Sequence, residues 1–304
     1  MTNCTDCGKE AVARFKYTNT DWCSECFLRV FRNRVARAIK EQGGFERGQR
    51  IGVAVSGGKD SAALLHSLAQ NADAKGVELV PILIDEGIAG YRNEAIPKAQ
   101  AVCDSLGLPL HVVSYKQMFD TSMDEVMSNP LRVERSCSYC GVFRKSALNK
   151  AAFDLGCDKL AMGHNADDAA QTMMLNLMRG EVKRIAQWDN DLDNEKLVPR
   201  VRPLVYVPER EAALYCELNS LPYHRAECPY SNEGLRQDVK KYLNEQEEKY
   251  PGTKFRLLNS FLQLKEQLKS DEASKVLLLF CKDCGAPSSQ KVCRACEMLD
   301  GLEA

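Results

Sequence analysis

Ile51-Gly52-Val53-Ala54-Val55 runs directly into Ser56-Gly57-Gly58-Lys59-Asp60-Ser61, and Ala62 to Ala72 (AALLHSLAQNA) follows without a break. The first segment is a short, β-branched strand, and the last has the apolar spacing of a helix. A strand that turns through glycines into a helix is the geometry that cradles phosphate. Gly57 and Gly58 let backbone N–H groups approach an anion, the helix start adds partial positive charge, and Lys59 adds a full one. The motif is not a Walker A loop, which needs G-x4-G-K-[ST] and does not place an Asp after the Lys.

Working outward, the chain alternates as a parallel sheet does. The pattern predicts strands at Glu78 to Asp85, Leu110 to Val113 and Lys159 to Gly163. Helices are predicted around Asn93 to Leu106, Gly141 to Leu155 and Ala166 to Arg179. The expected fold is α/β, an open, doubly wound, mostly parallel sheet of Rossmann-like type, in which ligands bind at the carboxyl ends of strands. Polar clusters stand at those ends: Ser56 to Ser61, Asp85-Glu86-Gly87, and Gly163-His164-Asn165-Ala166-Asp167-Asp168. Asn165 and Asp167 also suit a plain helix N-cap.

The chain has 304 residues, enough for about two domain-sized units. Hydrophobic content of 44% and charged content of 27% exclude a disordered or collagenous chain. A net charge of −1 gives no global attraction to nucleic acid or anionic membrane, so any such binding must be local. The first residues lack a basic and an apolar leader region, and no apolar run has the length of a membrane span, so the expectation is a soluble, cytoplasmic protein with no membrane partner.

Fourteen cysteines are then unusual, because a reducing compartment does not preserve structural disulfides. Cys4, Cys7, Cys23 and Cys26 form C-x2-C-x15-C-x2-C, and Cys281, Cys284, Cys293 and Cys296 form C-x2-C-x8-C-x2-C. Both spacings suit four-thiolate zinc sites, closed and structural, which predicts two Zn2+ and two small ribbons. Segments this short need the metal in order to fold. Cys103, Cys157 and Cys216 sit alone in apolar patterns and read as small buried hydrophobes. Cys137 and Cys140 make a third C-x2-C with no second pair nearby, and Cys228, followed by Pro229, is the plausible late partner. Spacing alone leaves three readings open: an iron–sulfur cluster with an open iron, a third zinc with an outside ligand, or a redox dithiol plus a spare cysteine.

Taken together, SGGKDS, LIDEGIAGYR, CSYCGVFRKSAL, GHNADDAAQTMMLNLMRG and AECPYS, bracketed by the two ribbons, resemble one family. It is the PP-loop tRNA 2-thiolation enzymes of the NcsA and TtuA group, which includes the eukaryotic cytoplasmic tRNA 2-thiolation proteins. The resemblance runs from about Cys4 to Cys296. IDEG followed by GYR resembles the branch that modifies the wobble uridine U34 more than the branch that thiolates U54 of the T-loop. Departures are the acidic stretch Asp189 to Glu195, read as a surface loop, and Lys145, where a second Arg often follows Arg144.

The resemblance implies an ATP-dependent tRNA uridine 2-sulfurtransferase that cleaves ATP to AMP and pyrophosphate. In that reading Ser56, Gly57, Gly58, Lys59, Asp60 and Ser61 hold the pyrophosphate. The backbone at Leu83 and Ile84 meets adenine, and Gly163, Asp168 and Arg144 line the same pocket. Cys137, Cys140 and Cys228 hold a [4Fe-4S] or [3Fe-4S] cluster. Cys137, Cys140, Cys228, Lys59 and Asp168 are then the catalytic set, with Mg2+ on the departing phosphate. Partners are tRNA, a sulfur donor (sulfide or a ubiquitin-like thiocarboxylate carrier) and a second copy of the chain in a homodimer. The rivals are another PP-loop adenylating enzyme, such as an amidotransferase or lysidine synthase, and a zinc-ribbon tRNA-binding scaffold with a vestigial loop.

A near-neutral protein that grips tRNA must concentrate charge. Between Phe27 and Arg50 stand Arg29, Arg32, Arg34, Arg37, Lys40, Arg47 and Arg50 against Glu41 and Glu46. Phe27, Phe31, Val35 and Ile39 step by four along one helix face, leaving Arg29, Arg32, Arg37 and Lys40 mainly on the other as tRNA contacts. Arg200 and Arg202 are second candidates. Leu257, Phe261, Leu264 and Leu268 suggest a packing helix that carries the second ribbon. The expected organisation is an N-terminal zinc ribbon (1–28), a basic linker helix (29–50), the PP-loop catalytic domain (51–235), a helical extension (236–276) and a C-terminal zinc ribbon (277–304).

Overall fold

The computed structural model describes residues 2–181, 183–186, 188, 194–231, 235–269 and 278–303. Two short strands, β1 (Ala13–Phe15) and β2 (Thr20–Trp22), pair antiparallel and lead into the helix α1 (Ser24–Glu41). Its Phe27, Phe31, Val35 and Ile39 are buried, as the four-residue step requires. The five-stranded sheet that follows has the order β5-β4-β3-β6-β7, every pair parallel: β3 is Arg50–Ala54, β4 Glu78–Asp85, β5 His111–Ser114, β6 Lys159–Ala161 and β7 Arg200–Val201. The expected α/β sheet is therefore present, with β7 as an edge strand too short to leave a sequence signal.

The crossover helices are α2 (Lys59–Lys75), α3 (Tyr91–Ser105), the short α4 (Tyr115–Phe119) and α5 (Met123–Ser128), α6 (Ser136–Asp154), α7 (Ala166–Met178), the single turn α8 (Lys183–Ala186) and α9 (Glu209–Leu218). They bury both faces of β3 and β4, whose Ile51, Val53, Ile82 and Leu83 have no exposure. The helix predicted to begin at Gly141 begins at Ser136, so Cys137 and Cys140 lie within its first turns. The two central strands split at the phosphate loop. The last β3–β4 pair is Ala54 with Ile82, closed by Val55 N–H to the Ile82 carbonyl at 2.8 Å. Ile84, two residues on, turns its backbone groups the same way, into the space β3 has left.

Helices α10 (Leu235–Lys249) and α11 (Thr253–Lys269) pack on α7. Of the face predicted on α11, Phe261 is buried with Leu257 and Leu268 packed beside it, Leu258 adds to it, and Leu264 is exposed. A second hairpin, β8 (Leu279–Phe280) with β9 (Pro287–Ser288), precedes α12 (Arg294–Glu303), which packs against α6. Residues 189–193 of the acidic stretch and 270–277 at the extension's end, where its boundary with the second ribbon was drawn, lie outside the described residues. Among the described residues no helix is long and apolar enough to cross a membrane.

Candidate active site and metal centres

The phosphate loop is held from three sides. Ser61 Oγ accepts from Ser56 N–H at 3.1 Å and donates to the Gly58 carbonyl at 2.9 Å. Gly57 has φ +83°, and a Cβ there would stand 2.2 Å from the Ala95 carbonyl oxygen, so both backbone angle and space exclude any side chain. Its own carbonyl accepts from His224 N–H at 2.8 Å, which ties the loop to the segment carrying Cys228. Gly58 caps α2 without a side chain, leaving the helix N-terminus open toward the loop.

Lys59 Nζ contacts Asp60 Oδ2 and Glu209 Oε1, each at 3.0 Å, and Lys240 of α10 shares that Glu209 oxygen at 3.0 Å. Burial works against the Lys59 charge, but the two carboxylates outweigh it and hold the ammonium protonated. Asn165 Nδ2 donates to Asp60 Oδ1 at 3.0 Å, and Asn165 with Asp168 forms a reciprocal cap on α7. Asp168 is thus a helix cap and also a cleft carboxyl, pushed up to about 6 mainly by burial. Gly163 brings β6 close to the loop, its Cβ position 3.5 Å from Ser61 N.

An ion network centred on the buried Glu86 joins this loop to the cysteines. Glu86 has no exposure and pairs with Arg92 through one oxygen and with Arg144 Nε at 2.8 Å through the other. Arg92 Nη1 reaches back to the Ser56 carbonyl at 2.9 Å. Arg144 Nη2 reaches forward to Cys140 Sγ at 2.9 Å, where Tyr115 O–H also approaches, at 3.8 Å. Burial pushes the Cys140 thiol up while the Arg144 guanidinium pulls it down. None of Glu86, Arg92, Glu209 and Lys240 was assigned a role from sequence. Glu86 and Arg92 were in view inside LIDEGIAGYR, but Glu209 lies 150 residues from Lys59 and no local pattern points to it.

Cys228 is brought to the same place. Ser136 Oγ, at the start of α6, donates to the Tyr230 carbonyl at 2.9 Å, and Tyr230 O–H donates to Asp124 Oδ1 at 2.8 Å. Cys140 and Cys228 border one apolar cluster, and Cys137 is exposed beside them. Among the described residues the only groups of three or more such ligand atoms within 4.8 Å of one another are the two quartets. A tetrahedral zinc with arms of about 2.3 Å sets its sulfurs about 3.8 Å apart. The trio is more open than that, which disfavours a third zinc and suits a larger group, while the helix start at Cys137 favours anionic charge.

The quartets do meet the single-ion distance: Cys7 and Cys23 sulfurs are 3.5 Å apart, Cys284 and Cys293 3.6 Å, Cys281 and Cys296 3.9 Å. Burial opposes ionisation of Cys4 and Cys281, yet backbone N–H groups of the two knuckles outweigh it and bring each thiol down to about 6. The donor sets therefore fit zinc. Cys103, Cys157 and Cys216 are buried, in line with their reading as packing residues.

The expected tRNA contacts fare unevenly. Arg29, Arg32, Arg37 and Lys40 are exposed on α1. Yet Arg29 pairs with Asp6, Arg34 with Glu211, Arg37 with Glu41 and Arg50 with Glu78, so four of the seven basic residues of that segment are partnered. Arg202, expected at the surface, is buried, its guanidinium 4.2 Å from the centre of the Trp188 ring. Arg200 is half-buried and donates to the Lys145 carbonyl at 3.3 Å. His164 is exposed in the cleft, and desolvation together with the cations Arg202, Arg236, Lys145 and Arg200 brings its imidazole down to about 3, so the ring is neutral.

A parallel sheet with an open Gly-rich loop at its switch from strand to helix defines a PP-loop nucleotide-binding protein, and residues 28–247 match the PP-loop domain family. Residues 279–304 match a zinc-ribbon family. The chain is 34% identical over 319 residues to tRNA 2-thiolation protein NcsA of Haloferax volcanii, covering 99% of each. It is 35% identical to cytoplasmic tRNA 2-thiolation protein 1 of Drosophila grimshawi over 97% of this chain and 86% of that one. The solved U34-tRNA thiolase NcsA from Methanococcus maripaludis with its [4Fe-4S] cluster superposes with a TM-score of 0.86 at 31% identity, covering 99% of this chain and 97% of that one. The chain belongs to the PP-loop tRNA 2-thiolation family.

Proposed function

We propose that the protein is an ATP-dependent tRNA sulfurtransferase that converts a uridine, the wobble U34, to 2-thiouridine. The observation that carries this is the continuous path of contacts from the phosphate loop through Arg92, Glu86 and Arg144 to Cys140. The similarity to the U34-tRNA thiolase supports the choice of uridine.

The C2 oxygen of uracil is a poor leaving group, so it must first be activated. It attacks the α-phosphorus of ATP, and pyrophosphate departs. Sulfide then attacks C2 and expels AMP. Backbone N–H groups of Gly57 and Gly58 and the start of α2 bind the pyrophosphate, with Ser56, Asp60 and Ser61 fixing the loop. Lys59 exchanges Glu209 for phosphate oxygens. Asp168, ionised at neutral pH, holds Mg2+ or positions the nucleotide. The free backbone edge beyond Leu83, at Ile84, receives adenine, and Gly163 leaves room beside it. An iron–sulfur cluster on Cys137, Cys140 and Cys228 would, when bound, supply an open iron that holds the sulfide. Arg144 orients Cys140 and adds positive charge there. The two quartets would each hold a structural Zn2+. The family resemblance supports a homodimer, which sedimentation tests, and a sulfur donor that is either sulfide or a thiocarboxylate carrier.

Anaerobic incubation with tRNA, ATP, Mg2+ and sulfide, followed by nucleoside mass spectrometry, should give 2-thiouridine mapped to position 34 and one AMP per thiouridine. Mapping to position 54 would move the reading to the other branch. AMP formation without thiolated RNA would favour a different adenylating enzyme, and neither product a binding scaffold.

A further inference from the structure

A groove of about 470 Å³ runs between α6 and the C-terminal ribbon. Its described lining carries five cations, Lys145, Lys150, Lys196, Arg200 and Arg294, and one carboxylate, Asp154. Two of the five are partnered by carboxylates: Lys150 by Asp154 at 2.8 Å, and Arg294 by Glu134 and Glu297. Arg200 and Lys196 are held by neutral contacts. Arg200 donates to the Lys145 carbonyl, and the Lys196 ammonium stands 5.0 Å from the centre of the exposed Phe280 ring and 3.9 Å from the Cβ position of Gly285 in the ribbon knuckle. Asn149 fixes the Lys196 segment with bonds of 2.8 and 3.0 Å to Lys196 O and Val198 N. Phe119 and the exposed Phe153 also line the groove.

Two of these cations continue into the cleft. Lys145 and Arg200 belong both to the groove and to the positive set around His164, with Arg236 beyond, itself anchored on Gln171 and Thr172 of α7 at 3.3 Å. Lys145 directly follows Arg144, the residue on Cys140. Positive charge thus extends from the second ribbon toward Cys140, with the exposed Phe153 and the half-buried Phe119 beside it.

We propose that this groove is where the single-stranded loop of the substrate tRNA lies, its phosphates on Lys145, Lys196 and Arg200 and its unstacked bases against Phe153 and Phe119. The inference rests on the thiolation reading and adds to it the face of approach, which is the C-terminal ribbon side. Cations next to exposed aromatic rings are the combination that binds single strands, because the rings take bases of any sequence and the charges follow the backbone. An unstacked loop fits such a groove, whereas a duplex is recognised across a much broader surface. An acidic protein would find the charges but would leave the aromatic rings unexplained.

The test uses the full-length zinc-loaded protein, with a hairpin carrying the anticodon loop and, separately, whole tRNA, by fluorescence anisotropy across a salt series. Lys145→Gln with Lys196→Gln should weaken binding about tenfold and flatten the log–log salt slope by about two. Lys145→Arg with Lys196→Arg should restore both. A photoreactive uridine in the loop should cross-link to Phe153 or the Cys284 to Pro287 knuckle. Unchanged affinity and slope in the Gln variant, or cross-links confined to α1, would overturn the proposal, as would a change in oligomeric state with RNA binding intact. Failure of the thiolation reading is distinguishable, because the wild-type protein would then form no 2-thiouridine whatever the groove does.

Discussion

Five C-x2-C pairs begin with the same local grammar, yet four of them close into quartets and the fifth does not. In the ribbons, each pair meets a second pair across a short hairpin, the sulfurs close to within 4.8 Å, and the knuckle N–H groups stabilise thiolate. At Cys137 and Cys140 the third sulfur comes from Cys228, almost ninety residues away, the sulfurs stay wider apart, and a guanidinium sits on one of them. Each ribbon also leaves one cysteine exposed, Cys7 and Cys284, and differs from the trio in having four sulfurs that close on one another. The trio leaves Cys137 exposed at a helix start beside a nucleotide loop. A closed set of four thiolates leaves a metal no open position, whereas a set of three does.

Expected effects, ranked by free energy, can break that contrast. Removing zinc with a strong chelator should cost each ribbon about 10 kcal/mol of metal-derived folding free energy, and hydrogen exchange should report loss of protection at 4–26 and 281–296 with the sheet intact. Ends that stay protected after chelation would make the quartets incidental. Glu86→Gln leaves two guanidinium groups facing a neutral amide and should destabilise the fold by about 3 kcal/mol in urea unfolding, a much larger loss than an exposed pair such as Lys9–Glu25 would give. Cys137→Ala should reduce thiolation by more than about a hundredfold, roughly 2.7 kcal/mol of barrier, while ATP affinity by calorimetry is unchanged. Retained thiolation would refute the role of the trio. Arg144→Gln should reduce thiolation about 10- to 100-fold, the range of a group that orients a metal ligand, without loss of zinc.

Whatever is local was legible in the chain. Strand, loop and helix around Ser56 to Ser61 follow from residue types in order, the ribbons from spacing, and the α1 face from its four-residue step. What could not be read depends on which distant residues meet. The helix carrying Cys137 begins five residues early because Ser136 is tied to Tyr230. Arg202 looked like a surface cation and is buried against Trp188. The basic segment from Phe27 to Arg50 was set against Glu41 and Glu46 alone, yet Asp6, Glu78 and Glu211 reach it from outside. A count of charges in one segment says nothing about carboxylates that folding brings in from elsewhere.

Helix α6 spans 19 residues, about 28 Å of a rod that does not stretch. It carries Cys137 and Cys140 in its first turns, Arg144 and Lys145 next, and Lys150 and Phe153 in its last. One residue inserted after Arg144 would turn everything beyond it by about 100° relative to the cysteines. The groove and the sulfur site are therefore locked in phase, and this helix should tolerate many substitutions but no change in length.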